Sequence, residues 1–209
     1  ENFKRYSKSR ILIDGALERK SIATEKVSNV AILSSSASYS LDMEKTIRDT
    51  IYTTMLFSLP KFHLDLPKDF SRDTYRDKYY IIEENTIKQS DKKIDLREIW
   101  ARESDMENIF VNGALSDAMI NSLLLSNAKL EGKQLVFLDG SRILIKYDNF
   151  EKLKRRGLIF SCIDTINILA ITINPFSAYG NHYDSEEFLE KMQEMTELPV
   201  INIANKYRG

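Results

Sequence analysis

The sequence predicts an α/β fold in which a mostly parallel sheet carries helices on both faces. Short apolar, β-branched runs alternate with longer segments in which apolar side chains recur every three or four positions. This alternation is typical of parallel sheets with right-handed crossovers. Only 7 glycines and 4 prolines interrupt the 209 residues, so most of the chain is expected in regular elements.

Short-range patterns predict the individual elements. From Met43 to Leu59, apolar side chains recur at every fourth position, which is typical of one face of a helix. Asp42 or Ser40 can cap this helix, and Pro60 ends it. Helices are predicted at 41–59, 115–128, 150–156 and 185–195, and strands at 10–13, 29–33, 79–82, 108–111, 135–138, 143–145, 158–162, 167–173 and 200–203. Asp139-Gly140, between two of these strands, is a hairpin signal when taken alone, and a strand entering a loop is equally allowed.

Composition divides the chain into three parts. Residues 1–60 form a first α/β part whose opening strand ends in Asp-Gly. Residues 61–107 are richer in charged and aromatic side chains and are predicted to be an insertion or subdomain in the middle of the fold, with a polar turn at 88–93. Residues 108–209 are expected to form a C-terminal α/β part of the same sheet.

Charge and composition exclude several classes of function. The 30 Lys and Arg residues nearly balance the 31 Asp and Glu residues, so a net charge of -1 favours neither nucleic acid nor an anionic membrane. No apolar run approaches the roughly 20 residues needed to span a bilayer. A single cysteine, Cys162, forms no internal disulfide, so a reducing, cytoplasmic setting is expected. The sequence starts at Glu1 without a signal region, so a processed chain or a fragment is expected.

Polar residues follow four of the predicted strands, at the sheet edge where parallel sheets place their ligands. The first is Asp14-Gly15, and a strand-end carboxylate of this kind holds Mg²⁺ in some NTPases. Such an aspartate also often caps the next helix, and that interpretation is favoured for an isolated Asp-Gly pair. The other ends are 111–117, 34–38 and the Asn-Pro turn at 174–180, where Asn174 and Ser177 are candidate ligand contacts. For the serine-rich segment 34–38, a tight turn is the simpler interpretation.

Several familiar site patterns are missing. The seven glycines form neither Gly-x-x-x-x-Gly-Lys-Ser/Thr nor Gly-x-Gly-x-x-Gly, so the sequence has no phosphate-binding loop and no dinucleotide fingerprint. His63, His182 and Cys162 are not at metal-ligand spacing, so no zinc site is expected. Cys162 lies in an apolar strand, which favours an inert buried thiol over a nucleophile. No nucleophile-and-base arrangement supports a conventional hydrolase or transferase.

Three stretches of the chain carry a likeness to a known family. They are residues 11–21, 113–117 and above all 166–180, which reads Ile-Asn-Ile-Leu-Ala-Ile-Thr-Ile-Asn-Pro-Phe-Ser-Ala-Tyr-Gly. These stretches resemble the reactivase-associated subunit of lysine and ornithine aminomutases, and the likeness omits the charged middle of the chain. The resemblance implies a P-loop NTPase-like fold. It also implies a role beside mutases that use adenosylcobalamin and pyridoxal phosphate and that lose activity when the cobalamin radical goes astray.

The resemblance further implies which residues serve ATP and magnesium. Asp14 matches the magnesium-side aspartate, and Gly15 and Arg19 match the motif around it. The lysine and hydroxyl that cradle the nucleotide in the family belong to an N-terminal segment that this sequence does not contain. Mg²⁺ and ATP are therefore expected only together with that missing segment.

Two functions follow from these observations. In the first, the chain is an ATPase-like accessory subunit, or reactivase, of a cobalamin- and PLP-dependent lysine or ornithine aminomutase. Its partner is then the aminomutase or a second reactivase subunit, and the tyrosine-rich middle faces that partner because interfaces are enriched in aromatic residues and arginine. In the second, the chain is a non-catalytic α/β subunit that binds a small ligand or another protein, which explains the absent phosphate-binding loop more simply. A homo-oligomer is compatible with both.

Overall fold

A computed structural model of the protein describes residues 30–67, 78–89, 96, 100 and 108–204. The predicted strand at 10–13 and the candidate residues Asp14, Gly15 and Arg19 lie outside the described residues, as does much of the predicted insertion. The described part of the chain has an α/β architecture. No helix within it has the length and apolar character required to cross a membrane.

Strands and helices alternate along the described residues. The strands are β1 (Ala31–Ser36), β2 (Lys78–Glu83), β3 (Thr86–Gln89), β4 (Asn108–Asn112), β5 (Leu115–Ser116), β6 (Gln134–Phe137), β7 (Ile143–Leu144), β8 (Ile159–Cys162), β9 (Ile168–Asn174) and β10 (Val200–Asn202). The helices are α1 (Met43–Phe57), α2 (Asp117–Leu125), α3 (Tyr147–Arg155) and α4 (Ser185–Glu194), and a 3-10 turn spans Gly140–Arg142.

The strands divide between two main sheets, whereas the sequence predicted one. The first sheet has the order β1-β9-β10 and is parallel throughout. The second sheet has the order β3-β2-β4-β6-β8, in which β4, β6 and β8 are parallel and β2 and β3 are antiparallel. Of the predicted C-terminal part, only β9 and β10 join the sheet of β1. The chain leaves the first sheet after α1, builds the second, and returns at β9.

Helix α1 serves both sheets. Its Ile47 is buried in the core of the first sheet, while Tyr52, Leu56 and Phe57 are buried in the core of the second. One amphipathic helix with two apolar faces thereby covers both layers, and its carboxyl end lies against the second sheet. The short parallel pair β5-β7 is separate from both sheets.

Among the described residues, helices cover one face of the first sheet, whereas helices on both faces were predicted. The covered face forms an apolar core with α1 and α4, made by Ile47, Ile171, Ile173, Phe188 and Met192. On the other face, Ile32 and Ile201 are exposed. Right-handed crossovers that proceed in one direction, from β1 to β9 to β10, put both helices on the same side of the sheet. In the second sheet, the described residues that pack against the face carrying Tyr80, Phe110 and Val136 include the irregular segment 62–66.

The predicted helices are confirmed, with altered ends. Asp42 caps α1 by accepting a hydrogen bond from the Lys45 amide at 3.3 Å, and Asp184 caps α4 by accepting from two amides of its first turn. Helix α2 is shorter than predicted because residues 115–116 form β5 instead. Gly157 follows α3 with φ of 90°, as expected of a glycine beyond a helix end.

The hairpin β2-β3 was only half predicted. Strand β2 was expected, but residues 88–93 were interpreted as a polar turn, and the last two residues of β3 fall in that range. Glu84 and Asn85 form the two-residue loop, with φ of 48° and 61°, between the paired Glu83 and Thr86. Two successive positive φ angles are typical of the hairpin turns that match strand twist, and they are usually signalled by Asn-Gly rather than Glu-Asn. The sequence signal was therefore weak.

Candidate functional site

Two of the four predicted strand ends meet at the carboxyl edge of the first sheet. Segment 34–38 ends β1, and segment 174–180 follows β9, its neighbour in the sheet. The Ala37 amide donates to the Asn174 carbonyl at 3.0 Å, and the Asn181 side-chain amide donates to the Ala37 carbonyl at 2.8 Å. The two loops therefore form one continuous surface, which we call the 37–42/175–183 edge. The end at 111–117 belongs to the second sheet, away from this edge.

The side chains of Asn174 and Ser177 are engaged within their own turn. Asn174 Oδ1 accepts from the Phe176 amide at 3.0 Å, and Ser177 Oγ accepts from the Tyr179 amide at 3.0 Å. Ser177 is buried. These are local turns of the kind that Asn and Ser favour, so both residues shape the loop. Their contact with a ligand stays a prediction.

A tyrosine fastens the two loops to α1. Tyr183 Oη donates to the Ser40 carbonyl at 2.5 Å and lies 2.8 Å from Thr46 Oγ1. Beside it, Tyr39 Oη donates to Asp49 at 2.9 Å, and Lys45 Nζ donates to the same carboxylate oxygen. Partial burial and then the hydrogen bond to Asp49 raise the pKa of Tyr39, while the bond to Asp49 raises the pKa of Lys45. The loops are therefore held in place by side chains of the first helix.

Large apolar side chains project from this anchored edge. Leu41 and Tyr179 are 84% and 85% exposed, and Tyr39 is 55% exposed. Single exposed apolar residues are common on protein surfaces, but these three lie on two loops that are hydrogen-bonded to each other. Tyrosine presents a large, stiff, amphipathic surface and is enriched in protein interfaces. The edge therefore has the composition of a binding surface for another protein.

The second sheet presents a different carboxyl edge, rich in buried polar groups. Strands β6 and β8 pair Phe137 with Cys162, so Asp139 and Asp164, each two residues further on, lie side by side. Asp139 is fully buried, and its Oδ1 accepts from the Ser141 amide at 3.0 Å and from the Ser141 hydroxyl. Its Oδ2 has no hydrogen-bond partner among the described residues. In the described part of the chain, no group of three or more His, Cys, Asp or Glu residues could hold a metal ion.

Sequence reasoning missed this second edge. The signal was present, because Leu-Val-Phe-Leu-Asp and Phe-Ser-Cys-Ile-Asp are apolar strands that end in aspartate, the same pattern that singled out Asp14. Taken alone, Asp139-Gly140 was instead interpreted as a hairpin signal, with a strand entering a loop equally allowed. The structure has the alternative: β6 enters a 3-10 turn that Asp139 caps.

Comparisons with known proteins give no match: no family model, no curated protein and no solved structure resembles the chain. The likeness to the aminomutase reactivase subunit stays a prediction.

The thiol of Cys162 is in an environment that makes it a poor nucleophile. It is buried at the end of β8, and burial, followed by the negative charges of Asp139 and Asp164, raises its pKa to about 12. A thiol nucleophile acts as the thiolate, which is scarce near neutral pH when the pKa is this high. The predicted interpretation of Cys162 as a buried, inert thiol agrees with this environment.

Native Cys162 is therefore expected to resist alkylation. Iodoacetamide at pH 8 should leave the folded protein unmodified and should modify Cys162 rapidly in 6 M guanidinium, roughly the concentration that unfolds most domains. A Cys162→Ser/Leu125→Cys variant, with its thiol on an exposed helix position, is the positive control. Because the unfolded thiol ionises near pH 8.5, folding stability should also fall as the pH rises from about 8.5 towards 12. Mass spectrometry that finds rapid labelling of the folded wild type would contradict the burial argument.

Proposed function

We propose that the protein is a non-catalytic binding subunit that docks on a protein partner through the 37–42/175–183 edge. The observation that carries this proposal is the trio of exposed side chains, Tyr39, Leu41 and Tyr179, on loops that are anchored to the first sheet and to α1. Anchored loops lose little conformational freedom on binding, so apolar contacts made by them contribute more of their gross energy to affinity.

The polar groups of the same edge support binding rather than chemistry. The Asn174 and Ser177 oxygens accept from backbone amides, as does Ser36 Oγ, which accepts from the Ser38 amide at 3.1 Å. Tyr183 is bonded to the Ser40 carbonyl and Thr46. Side chains committed to the loop's own backbone are poorly placed to attack or to polarise a substrate. A role in positioning the exposed apolar side chains is consistent with every one of these bonds.

The resemblance supplies the partner class for this proposal. It implies that the partner is a lysine or ornithine aminomutase or a second reactivase subunit. It also implies Mg²⁺ and ATP, held by Asp14, Gly15 and Arg19 together with a phosphate-binding segment, and those three residues lie outside the described part of the chain. The ATPase-like reactivase therefore stays a second proposal, and its nucleotide dependence belongs in the same experiment.

The test uses the full chain and purified lysine and ornithine aminomutases. Binding is measured by sedimentation velocity and biolayer interferometry, with and without Mg²⁺ and ATP. Leu41→Ser and Tyr179→Ala are each expected to weaken binding about five-fold or more, and together about thirty-fold, because interface anchors typically contribute more than 1 kcal/mol. Neither side chain is packed in the fold, so the free energy of unfolding should stay within about 0.5 kcal/mol of wild type.

The matched control is Leu125→Ser, which removes an equally exposed leucine, 88% exposed, from α2. This variant should bind like wild type. The docking proposal fails if Leu125→Ser weakens binding as much as Leu41→Ser, or if neither aminomutase binds. Binding that needs Mg²⁺ and ATP would favour the reactivase form of the proposal.

A further inference from the structure

A cleft of ≈ 870 Å³ opens at the amino edge of the first sheet, at the opposite end from the proposed docking surface. Its wall is built by the last turns of α1, the entry into β9 and the turn between α4 and β10. This volume lies within the range of small-molecule sites, roughly 300–1,000 Å³. Apolar lining comes from Ile51, Met55, Ile168, Met195 and Leu198. Methionine pairs of this kind adapt to ligands of different shape.

The electrostatics of the cleft favour a cation. In a parallel sheet the helices run opposite to the strands, so α1 and α4 both point their carboxyl ends, with their negative partial charge, at this edge. No basic residue lies in the last turn of α1, and Lys191 in the last turn of α4 is bonded to Glu187 at 2.8 Å and to Glu44. The described residues that line the cleft include the carboxylate Glu197 and no Lys, Arg or His.

Two of the four hydroxyl groups in the lining, those of Thr54 and Ser58, offer acceptors. Thr54 Oγ1 donates its proton to the Ile51 carbonyl at 2.7 Å, and Ser58 Oγ donates to the Thr54 carbonyl at 2.9 Å. A hydroxyl whose proton is engaged in this way presents only lone pairs to a ligand. An ammonium group, with three donors and no acceptor, is the complement of such a set. The apolar lining suits a hydrocarbon stem attached to that group.

We propose that this cleft binds a primary ammonium ion carried on an apolar stem. The acceptor hydroxyls, the Glu197 carboxylate and two helix carboxyl ends receive the ammonium, and the side chains of Met55, Met195 and Ile168 surround the stem. This site is independent of the docking edge, since it shares no residue with it. The cleft proposal can therefore fail while the proposed function holds, and the reverse is also true.

The test titrates the full chain with hexylammonium, hexanoate and hexanol and follows the methyl resonances of methionine and isoleucine by NMR. Hexylammonium should shift the methyls of Met55, Met195 and Ile168 and bind about five-fold or more tightly than hexanoate. Glu197→Gln should lower the affinity for hexylammonium about two- to five-fold, as expected for an exposed ion pair. Met195→Lys puts a cation into the cleft at a 58% exposed position and should lower the affinity for hexylammonium about five-fold or more.

The matched control is Glu194→Gln, which neutralises an exposed carboxylate of α4 outside the cleft lining. It should leave hexylammonium affinity unchanged, and backbone amide spectra establish that each variant is folded. Equal losses from Glu194→Gln and Glu197→Gln would overturn the proposal, because the effect would then be that of net charge. Hexanoate or hexanol binding as tightly as hexylammonium, or methyl shifts confined to residues elsewhere, would overturn it as well.

Discussion

The Gly140→Ala variant is expected to lose about 3 kcal/mol or more of folding stability, in the upper range for overpacked sites. A Cβ added at Gly140 would lie 1.9 Å from the Leu56 carbonyl oxygen and 2.5 Å from its carbonyl carbon. Both atoms are backbone atoms of α1, so no side-chain rotation relieves the clash. Either the end of α1 or the 3-10 turn must move, and the buried Leu56 and Phe57 move with that helix end.

Guanidinium unfolding followed by circular dichroism measures this loss, after coincidence of two probes has established two-state behaviour. In a chain of this size, the change corresponds to a melting temperature lower by about 6–12 °C. Gly180→Ala is the matched control: its φ of 93° is unfavourable for alanine, but nothing lies within 4 Å of the added Cβ. Strain alone should cost about 1–2 kcal/mol there. A loss at Gly140 no larger than that at Gly180 would show that α1 does not press on this turn.

The close approach at Gly140 explains why the sequence alone left a hairpin and a strand entering a loop equally possible at Asp139-Gly140. An Asp-Gly pair between two apolar runs ordinarily marks a tight turn that joins paired strands. Here the glycine is required because the backbone of α1 crosses directly over it, and Asp139 caps a 3-10 turn. The same two residue types thus serve a close backbone approach, which depends on a helix more than eighty positions earlier in the chain. Local sequence carries no information about that neighbour.

The helices could be predicted because their determinants are local. The four-residue spacing of α1 and its cap at Asp42 lie within one short segment, as do Asp184 and the amides that it caps in α4. Strand positions followed from β-branched runs for the same reason. The division into two sheets could not be predicted, because β1 pairs with β9 in the register Ala31 to Ile168, across a long stretch of chain. Any of the apolar strands satisfies the same local pattern.

Local sequence predicted the candidate sites only in part, for the same reason. The rule that parallel strands deliver loops to one edge correctly brought segments 34–38 and 174–180 together. It could not tell that Asn174 and Ser177 would bond to their own turns. The cleft at the opposite edge had no sequence signal, since its wall combines three segments that are adjacent only in the folded chain. Sites built from helix ends and loop entries require the tertiary arrangement before they can be recognised.

The side chain of Arg156 joins α3 to α2, two helices that pack on the second sheet. Arg156 follows the last residue of α3, and its guanidinium reaches across to the end of α2. Nη1 donates to the Leu123 carbonyl at 2.9 Å, and Nη2 donates to the carbonyls of Ser126 and Ala128, both at 2.9 Å. Helix α2 has no basic residue in its own last turn. Arg156 therefore supplies both the donors and the positive charge that the carboxyl end of α2 lacks.

Arg156→Met is expected to cost about 2–3 kcal/mol, because it leaves several carbonyls without a charged donor while keeping the apolar stem. Arg156→Lys should recover less than half of that loss, since a single ammonium cannot reproduce the planar fork that spans three carbonyls. Arg155→Met, at the exposed neighbouring position, is the control and should stay within about 0.5 kcal/mol of wild type. Hydrogen exchange locates the effect. The amides of α2 should lose protection from exchange in Arg156→Met, while those of α4, which packs on the first sheet, should keep their protection. If the Lys variant matched wild type in both measurements, charge alone would account for the role of Arg156, and the geometry of the fork would be irrelevant.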